Sequence, residues 1–219
     1  MIGVICSAGG NSFFAAFDLF REIDAIRSEE IFLVTDRACG AEQLADDRGI
    51  LRTRVESRDN AEFSILTADL FQEKGVESII LFYTRFIKSE LFESFKTFNV
   101  HPSLLPLYPG FGALRRTLAD GCRFVGATLH RVDKSEDGGE IVAQVVTPLS
   151  SAECIETLGT VSFLQKVYLT LLFFEEVSGM RDRDADSPVP FGASPALCNG
   201  VLAASFDRLC TAKGRRIIK

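Results

Sequence analysis

The chain has 219 residues, of which 47% are hydrophobic and 25% charged, and a formal net charge of −6. That length buries a proper core as one domain or at most two small ones, and the acidic balance argues against nucleic acid as the main partner. No run of about 20 apolar residues offers a membrane span, and the opening Met1-Ile2-Gly3-Val4-Ile5-Cys6 is too short, and lacks the basic flank, for an export signal.

From the N-terminus the pattern alternates between strand and helix. Residues 2–6 form a short apolar run that opens into Ser7-Ala8-Gly9-Gly10-Asn11-Ser12, and apolar residues at helical spacing follow over 13–20. Strand, glycine-rich turn and helix is the opening of a Rossmann-like unit. The backbone N–H groups of such a turn, together with the helix N-terminus, form an anion site. The dinucleotide fingerprint G-x-G-x-x-G is absent. Residues 30–35 read as a strand, 40–48 as a helix ending before Gly49, 51–55 as a short strand, 60–74 as a helix stopped by Gly75, and 78–82 as a strand. Strands separated by helical patterns imply a mostly parallel central sheet with helices on both faces. Ligands then bind beyond the carboxyl ends of the strands.

Tyr83-Thr84-Arg85-Phe86-Ile87 links the strand at 78–82 to the next helical segment, and a second short apolar run at 95–98 precedes Asn99-Val100-His101-Pro102-Ser103-Leu104-Leu105-Pro106-Leu107-Tyr108-Pro109-Gly110. In an extended backbone residues i and i+2 point the same way, so Asn99 and His101 project together. Pro102 holds His101 in extended geometry, and three prolines within eight residues restrict the loop, which suits a preorganised site. A short helix is expected over 111–118, and 124–130 and 141–146 form an antiparallel pair around a polar turn at 133–139. The longest helical stretch, 154–177, has an apolar face. Residues 181–188 read as an exposed linker, and a capping helix is expected around 202–210. The basic tail Lys213, Arg215, Arg216 and Lys219 reads as a solvated charge run.

Six cysteines are scattered without C-x-x-C spacing, which reads as reduced thiols in a cytoplasmic protein. His101 and His130 are the only histidines and neither sits near a cysteine pair, so no metal site is expected. His130, inside an apparent strand, reads as a hydrogen-bonded structural histidine. Ser7 and the cysteines have no recognisable base nearby in sequence, so they are not read as nucleophiles.

The segment Asn99-Val100-His101-Pro102-Ser103-Leu104-Leu105-Pro106, followed by Glu136-Asp137-Gly138-Gly139 at the polar turn, resembles the folate-dependent formyltransferases, and within them most closely the branch that formylates glycinamide ribonucleotide. The resemblance runs from Met1 to about Phe174 and fades beyond. It implies a Rossmann-like formyltransferase fold in a single domain over 1–179. Residues 1–98 would serve phosphate and acceptor binding and 99–179 catalysis and folate binding, with a C-terminal extension over 180–219. It implies 10-formyltetrahydrofolate as formyl donor and no metal. Asn99, His101 and Asp137 become the catalytic residues, Gly9, Gly10, Asn11 and Ser12 grip the acceptor phosphate, and Arg85, Phe86, Ile87, Val132, Asp133 and Gly138 surround the folate. The partner is a small phosphorylated amine, with no nucleic acid and no membrane, and the assembly is a monomer or homodimer.

Formyl transfer to an amine develops an oxyanion and needs a proton route from the attacking nitrogen to the departing one. Asn99 supplies an N–H donor, His101 an imidazole, and Asp137 a carboxylate that stabilises the imidazolium and orients water. The resemblance also ranks the acceptors. A tRNA-formylating relative carries a further tRNA-binding domain, for which neither length nor charge is present. The hydrolase relative carries a regulatory domain in front, expected to be absent because the chain opens on a strand. A nucleotide-linked amino sugar or other amine in place of glycinamide ribonucleotide, and hydrolysis of formyltetrahydrofolate, remain the alternatives. Where the purine branch places an acidic residue against the ribose hydroxyls, this chain has Lys166, and the Asn11-Ser12 order is reversed from that branch. Both departures touch the acceptor side, which makes Lys166 the acceptor-specificity candidate.

Overall fold

The computed structural model describes residues 1–149, 155–180 and 197–214. Its centre is a seven-stranded sheet built from β1 (Ile2–Cys6), β2 (Ile31–Thr35), β3 (Leu51–Arg54), β4 (Ser78–Phe82), β5 (Lys96–His101), β6 (Phe124–Arg131) and β7 (Ile141–Pro148). The strand order is β3-β2-β1-β4-β5-β6-β7. Strands β1 to β5 run parallel, and β6 and β7 add antiparallel to β5. This is the mostly parallel sheet with an antiparallel C-terminal pair that the sequence pattern implies.

Alternation along the buried strands sorts the core into two layers. Val4, Leu33 and Ile80 face one side and meet Phe13, Phe17, Phe20, Leu164, Leu172 and Phe206. Ile5, Val34 and Leu81 face the other and meet Phe63, Phe71, Leu91 and Phe95. The first layer belongs to α1 (Asn11–Arg21), α6 (Ile155–Val177) and α7 (Gly200–Ala212), and the second to α3 (Asn60–Glu73) and α4 (Ser89–Phe92). Strands buried on both faces read as near-continuous apolar runs; every residue of β2 is buried, and all but Thr35 are apolar. The edge strand β3 differs: its Leu51, Arg52 and Arg54 are exposed, and charge on an edge discourages pairing with another chain.

Helix boundaries follow local chemistry. Asp59 caps α3 by accepting from Ala61 N at 2.6 Å and Glu62 N at 3.0 Å. The helix expected from residue 111 begins instead at Ala113, as α5 (Ala113–Ala119), because Gly112 stands before it at φ 73°. A helix cannot extend backwards through a left-handed residue. The helix α2 (Gly40–Asp46) stops two residues short of the expected end, where the turn closes on Gly49 at φ 67°. The expected capping helix is α7, whose Phe206 packs on Tyr168 of α6 at 5.1 Å between ring centroids. The linker expected at 181–188 and the last residues of the basic tail lie outside the described residues.

Candidate active site

The parallel order of β1, β4 and β5 brings three strand ends to one edge of the sheet, and a cleft of about 890 Å³ opens there. Gly10, Asn11, Ser12, Asn99, His101 and Asp137 all line it, so the glycine-rich turn and the proline-rich loop share one cavity, as expected from strand polarity.

A polar cluster in the cleft is assembled by register. In the β5–β6 pair Asn99 stands opposite His130 and His101 opposite Thr128. The turn after β6 returns Asp137 to the same place. One oxygen of Asp137, Oδ2, lies 3.1 Å from His101 Nδ1 and accepts from the Gly110 amide at 2.7 Å. The other, Oδ1, lies 3.5 Å from Asn99 Nδ2. Asp137 itself has φ 51°, a left-handed backbone that aspartate tolerates better than most residues. The chain leaves the turn through Gly139, where an added Cβ would collide with the Arg131 carbonyl. A glycine is required by that close approach.

His101 is held at both ring nitrogens. Nδ1 faces Asp137, and Nε2 lies 2.9 Å from the Tyr108 carbonyl. A carbonyl and a carboxylate only accept, so this pairing suits the doubly protonated ring. The loop that supplies Tyr108 is tied down from the sheet: Leu105 N donates to Thr128 Oγ1 at 3.0 Å, Thr128 Oγ1 donates to the Ser103 carbonyl at 2.7 Å, and Gln144 Nε2 donates to the Leu105 carbonyl at 2.8 Å. Prolines narrow the loop's conformations and these bonds select one.

His130 belongs to this cluster as well, a role the strand reading missed. Its Nδ1 donates to the Arg131 carbonyl at 2.9 Å, so the neutral ring turns an unprotonated Nε2 towards Asn99 Nδ2, 3.2 Å away. Burial, the largest influence, lowers the pKa of His130 below the usual histidine value. It is thus hydrogen-bonded, as expected, and it also orients the Asn99 amide. Its neighbour across the sheet is fixed by inter-strand register, which the sequence pattern around it does not encode.

At the other end of the cleft, α1 starts on Gly10 in the left-handed region, φ 61°, with no side-chain cap and no acidic residue in its first turn. The amides of Asn11, Ser12 and Phe13 have no intrahelical acceptor, and Gly10, Asn11 and Ser12 line the cleft. Unpaired N–H groups at a helix N-terminus favour an anion. Gly9 is not among the lining residues. Cys6, beneath this turn, is buried with its thiol pKa pushed up to about 11 by that burial, which keeps it unreactive.

Residues 4–166 match the family model for formyl transferases. The chain belongs to the formyl transferase family. It is 31% identical over 148 residues to a phosphoribosylglycinamide formyltransferase of Haemophilus influenzae, covering 61% of this chain and 69% of that one. It is 30% identical over 169 residues to the chloroplastic phosphoribosylglycinamide formyltransferase of Vigna unguiculata, covering 72% of this chain. It spans only 54% of that relative's length. Among solved structures, glycinamide ribonucleotide transformylase 1 of Symbiobacterium toebii superposes with a TM-score of 0.75 at 25% identity, over 82% of this chain and 88% of that one.

The remaining residues expected of a formyl transferase spread over the cleft wall. Phe86, Ile87, Val132 and Asp133 line it together with Arg85. The Arg85 guanidinium is engaged with Asn60 Oδ1 at 2.8 Å, the Ser57 carbonyl at 2.7 Å, the Arg58 carbonyl at 2.8 Å and Asp36 at 3.5 Å. It anchors the β4–α4 loop. Phe86 is 51% exposed and meets Phe111, 65% exposed, edge to face at 5.7 Å across the mouth of the cleft. Asp133 accepts from Ser135 N at 2.7 Å within the turn. Gly138 does not reach the wall, whereas Lys166 lines it together with Gly159 and Phe163 of α6.

Proposed function

We propose that this chain transfers a formyl group from 10-formyltetrahydrofolate to the primary amine of a phosphorylated small molecule, with glycinamide ribonucleotide, the substrate named for its relatives, as the first acceptor to test. The observation that carries the reading is the carboxylate of Asp137, which His101 Nδ1, the Gly110 amide and Asn99 Nδ2 all face. The apolar wall of Ile87, Val132 and Phe86 suits a flat heteroaromatic donor, and the amides after Gly10 suit a phosphate on the acceptor.

In the reaction a bond forms between the amine nitrogen and the formyl carbon, the bond from that carbon to the folate nitrogen breaks, and a proton passes from the amine to the departing nitrogen. Asn99 is placed to donate to the oxyanion: its 3.5 Å contact with Asp137 is at the limit of a hydrogen bond, so one N–H is available to an incoming oxygen. A donor of this kind lowers the barrier by roughly 3 kcal/mol. The imidazolium of His101 supplies positive charge beside the same oxygen, and Asp137 maintains that charge and orients water for the proton transfer.

The test is release of tetrahydrofolate from 10-formyltetrahydrofolate, with glycinamide ribonucleotide, with a panel of phosphorylated primary amines, and without acceptor. Acceptor-dependent release with a formylated product supports the proposal. Equal release without acceptor would make the protein a hydrolase and contradict it, as would no turnover with any amine.

A further inference from the structure

Lys166 is a charged side chain with no counter-charge among the described residues. It lies on the face of α6 that lines the cleft, in a stripe with Gly159 and Phe163 at helical spacing. Among the described residues no hydrogen bond or ion pair engages its ammonium group. Its neighbours one turn away on α6 are Ser162, Phe163, Leu169 and Thr170, none of them acidic. The carboxylates that do line the cleft are Glu93, Asp133, Glu136 and Asp137. They belong to the turn after α4 and the turn between β6 and β7, where Asp133 is engaged by Ser135 and Asp137 by His101 and Gly110.

A lysine in that setting is desolvated without compensation, which disfavours its charged form. Desolvation is the sole influence on Lys166, and it lowers the pKa below the usual lysine value. The open direction is the cleft. Helical side chains lean towards the helix N-terminus, and in that direction the cleft wall continues through Phe163 to Gly159, where an added Cβ would meet no atom within 4 Å.

We propose that Lys166 pairs with a second anionic group of the amine acceptor, separate from the one seated on the amides after Gly10, so that the substrate class is an amine carrying two anionic groups. This rests on the formyl-transfer reading and refines it. A charge-assisted contact made in a partly desolvated cleft favours such a ligand strongly over one that offers only hydroxyls. Lysine donates three N–H bonds and accepts none, so neutral hydroxyls leave its charge uncompensated.

The test is equilibrium binding, by calorimetry, of ribose 5-phosphate and ribulose 1,5-bisphosphate to the full chain and to its K166Q and K166R variants. The wild type is expected to bind the bisphosphate at least tenfold more tightly, which corresponds to about 1.4 kcal/mol. K166R should keep that preference, and K166Q should bring the two ligands within twofold of each other while leaving ribose 5-phosphate affinity unchanged. Equal affinities in the wild type, or a preference that survives in K166Q, would overturn the proposal. Binding of 5,8-dideazafolate to each variant reports separately on the donor side. Loss of donor binding in the wild type would count against formyl transfer and leave the anion preference standing or falling on its own data.

Discussion

At the scale of single residues, the chemistry rests on which groups face Asp137. A carboxylate with one oxygen shared between an imidazole and a backbone amide, and the other turned to an asparagine, fixes the orientation of all three. His130 completes the set by offering Asn99 an acceptor. Its lowered pKa gives a stability signature. The folded protein holds fewer protons on His130 than the unfolded chain does, so this residue's contribution rises with pH and is lost on acidification through the ordinary histidine range. Urea unfolding between pH 7 and pH 5 should therefore show a steeper loss for the wild type than for H130Q. Parallel curves would mean that His130 is not held neutral. Asn99 and His101 were legible because two residues in one extended strand share a side. The part played by His130 was not legible, since it depends on the register between β5 and β6 and no local pattern specifies that register.

At the scale of elements, the proposed function assigns binding to the start of α1 and the two loops that line the cleft. Gly10 combines a left-handed backbone with close packing: an added Cβ would lie 3.2 Å from both Cys6 Sγ and the Phe14 ring. We expect G10A to lose about 1–2 kcal/mol of stability from the backbone alone. It should also raise KM for the amine acceptor, because the first amides of α1 shift with the turn. A variant with wild-type stability and acceptor KM would contradict this role. Phe86 and Phe111 lie exposed on separate loops yet touch each other, and the proposed function places the aromatic donor against them. An aromatic contact is worth about 0.5–1.5 kcal/mol, so F111A should raise KM for the folate donor about 3–10-fold with kcat little changed. A fall in kcat at constant KM would place Phe111 elsewhere in the mechanism. That the glycine-rich turn opens a helix was readable from its composition. The Phe86–Phe111 pairing was not, because it depends on how two loops of different strands meet in space.

At the scale of the whole molecule, the mostly parallel sheet was legible from alternating strand and helix patterns, and the antiparallel pair from the polar turn between two apolar runs. The attachment of α7 was legible only as a helix: Glu175 of α6 accepts from the amides of Cys198 and Asn199, each at 3.0 Å, a contact that no periodicity encodes. A charge network at the other edge of the sheet gives an acid-stability prediction. Glu42 accepts from Arg54 at 2.7 Å and 2.6 Å and from Thr35 at 2.7 Å. Chiefly through Arg54, its pKa is held down to about 2. A carboxyl lowered in the folded state contributes stability above its unfolded pKa and loses it as pH falls towards the folded value. Unfolding midpoints between pH 4.5 and pH 2 should drop more steeply in the wild type than in E42Q. Equal slopes would show that this pair does not govern acid stability.

Asp137 supplies the most direct test of the account, because its substitution separates charge from shape. Asparagine also accepts a left-handed backbone, so D137N should keep the turn, the unfolding midpoint and the affinity for 5,8-dideazafolate. The measurement is the single-turnover rate of formyl transfer from 10-formyltetrahydrofolate to the best acceptor of the amine panel, in the wild type and in D137N. The account predicts a loss of about 10²–10⁴-fold with donor binding intact. Transfer at the wild-type rate in D137N would contradict it.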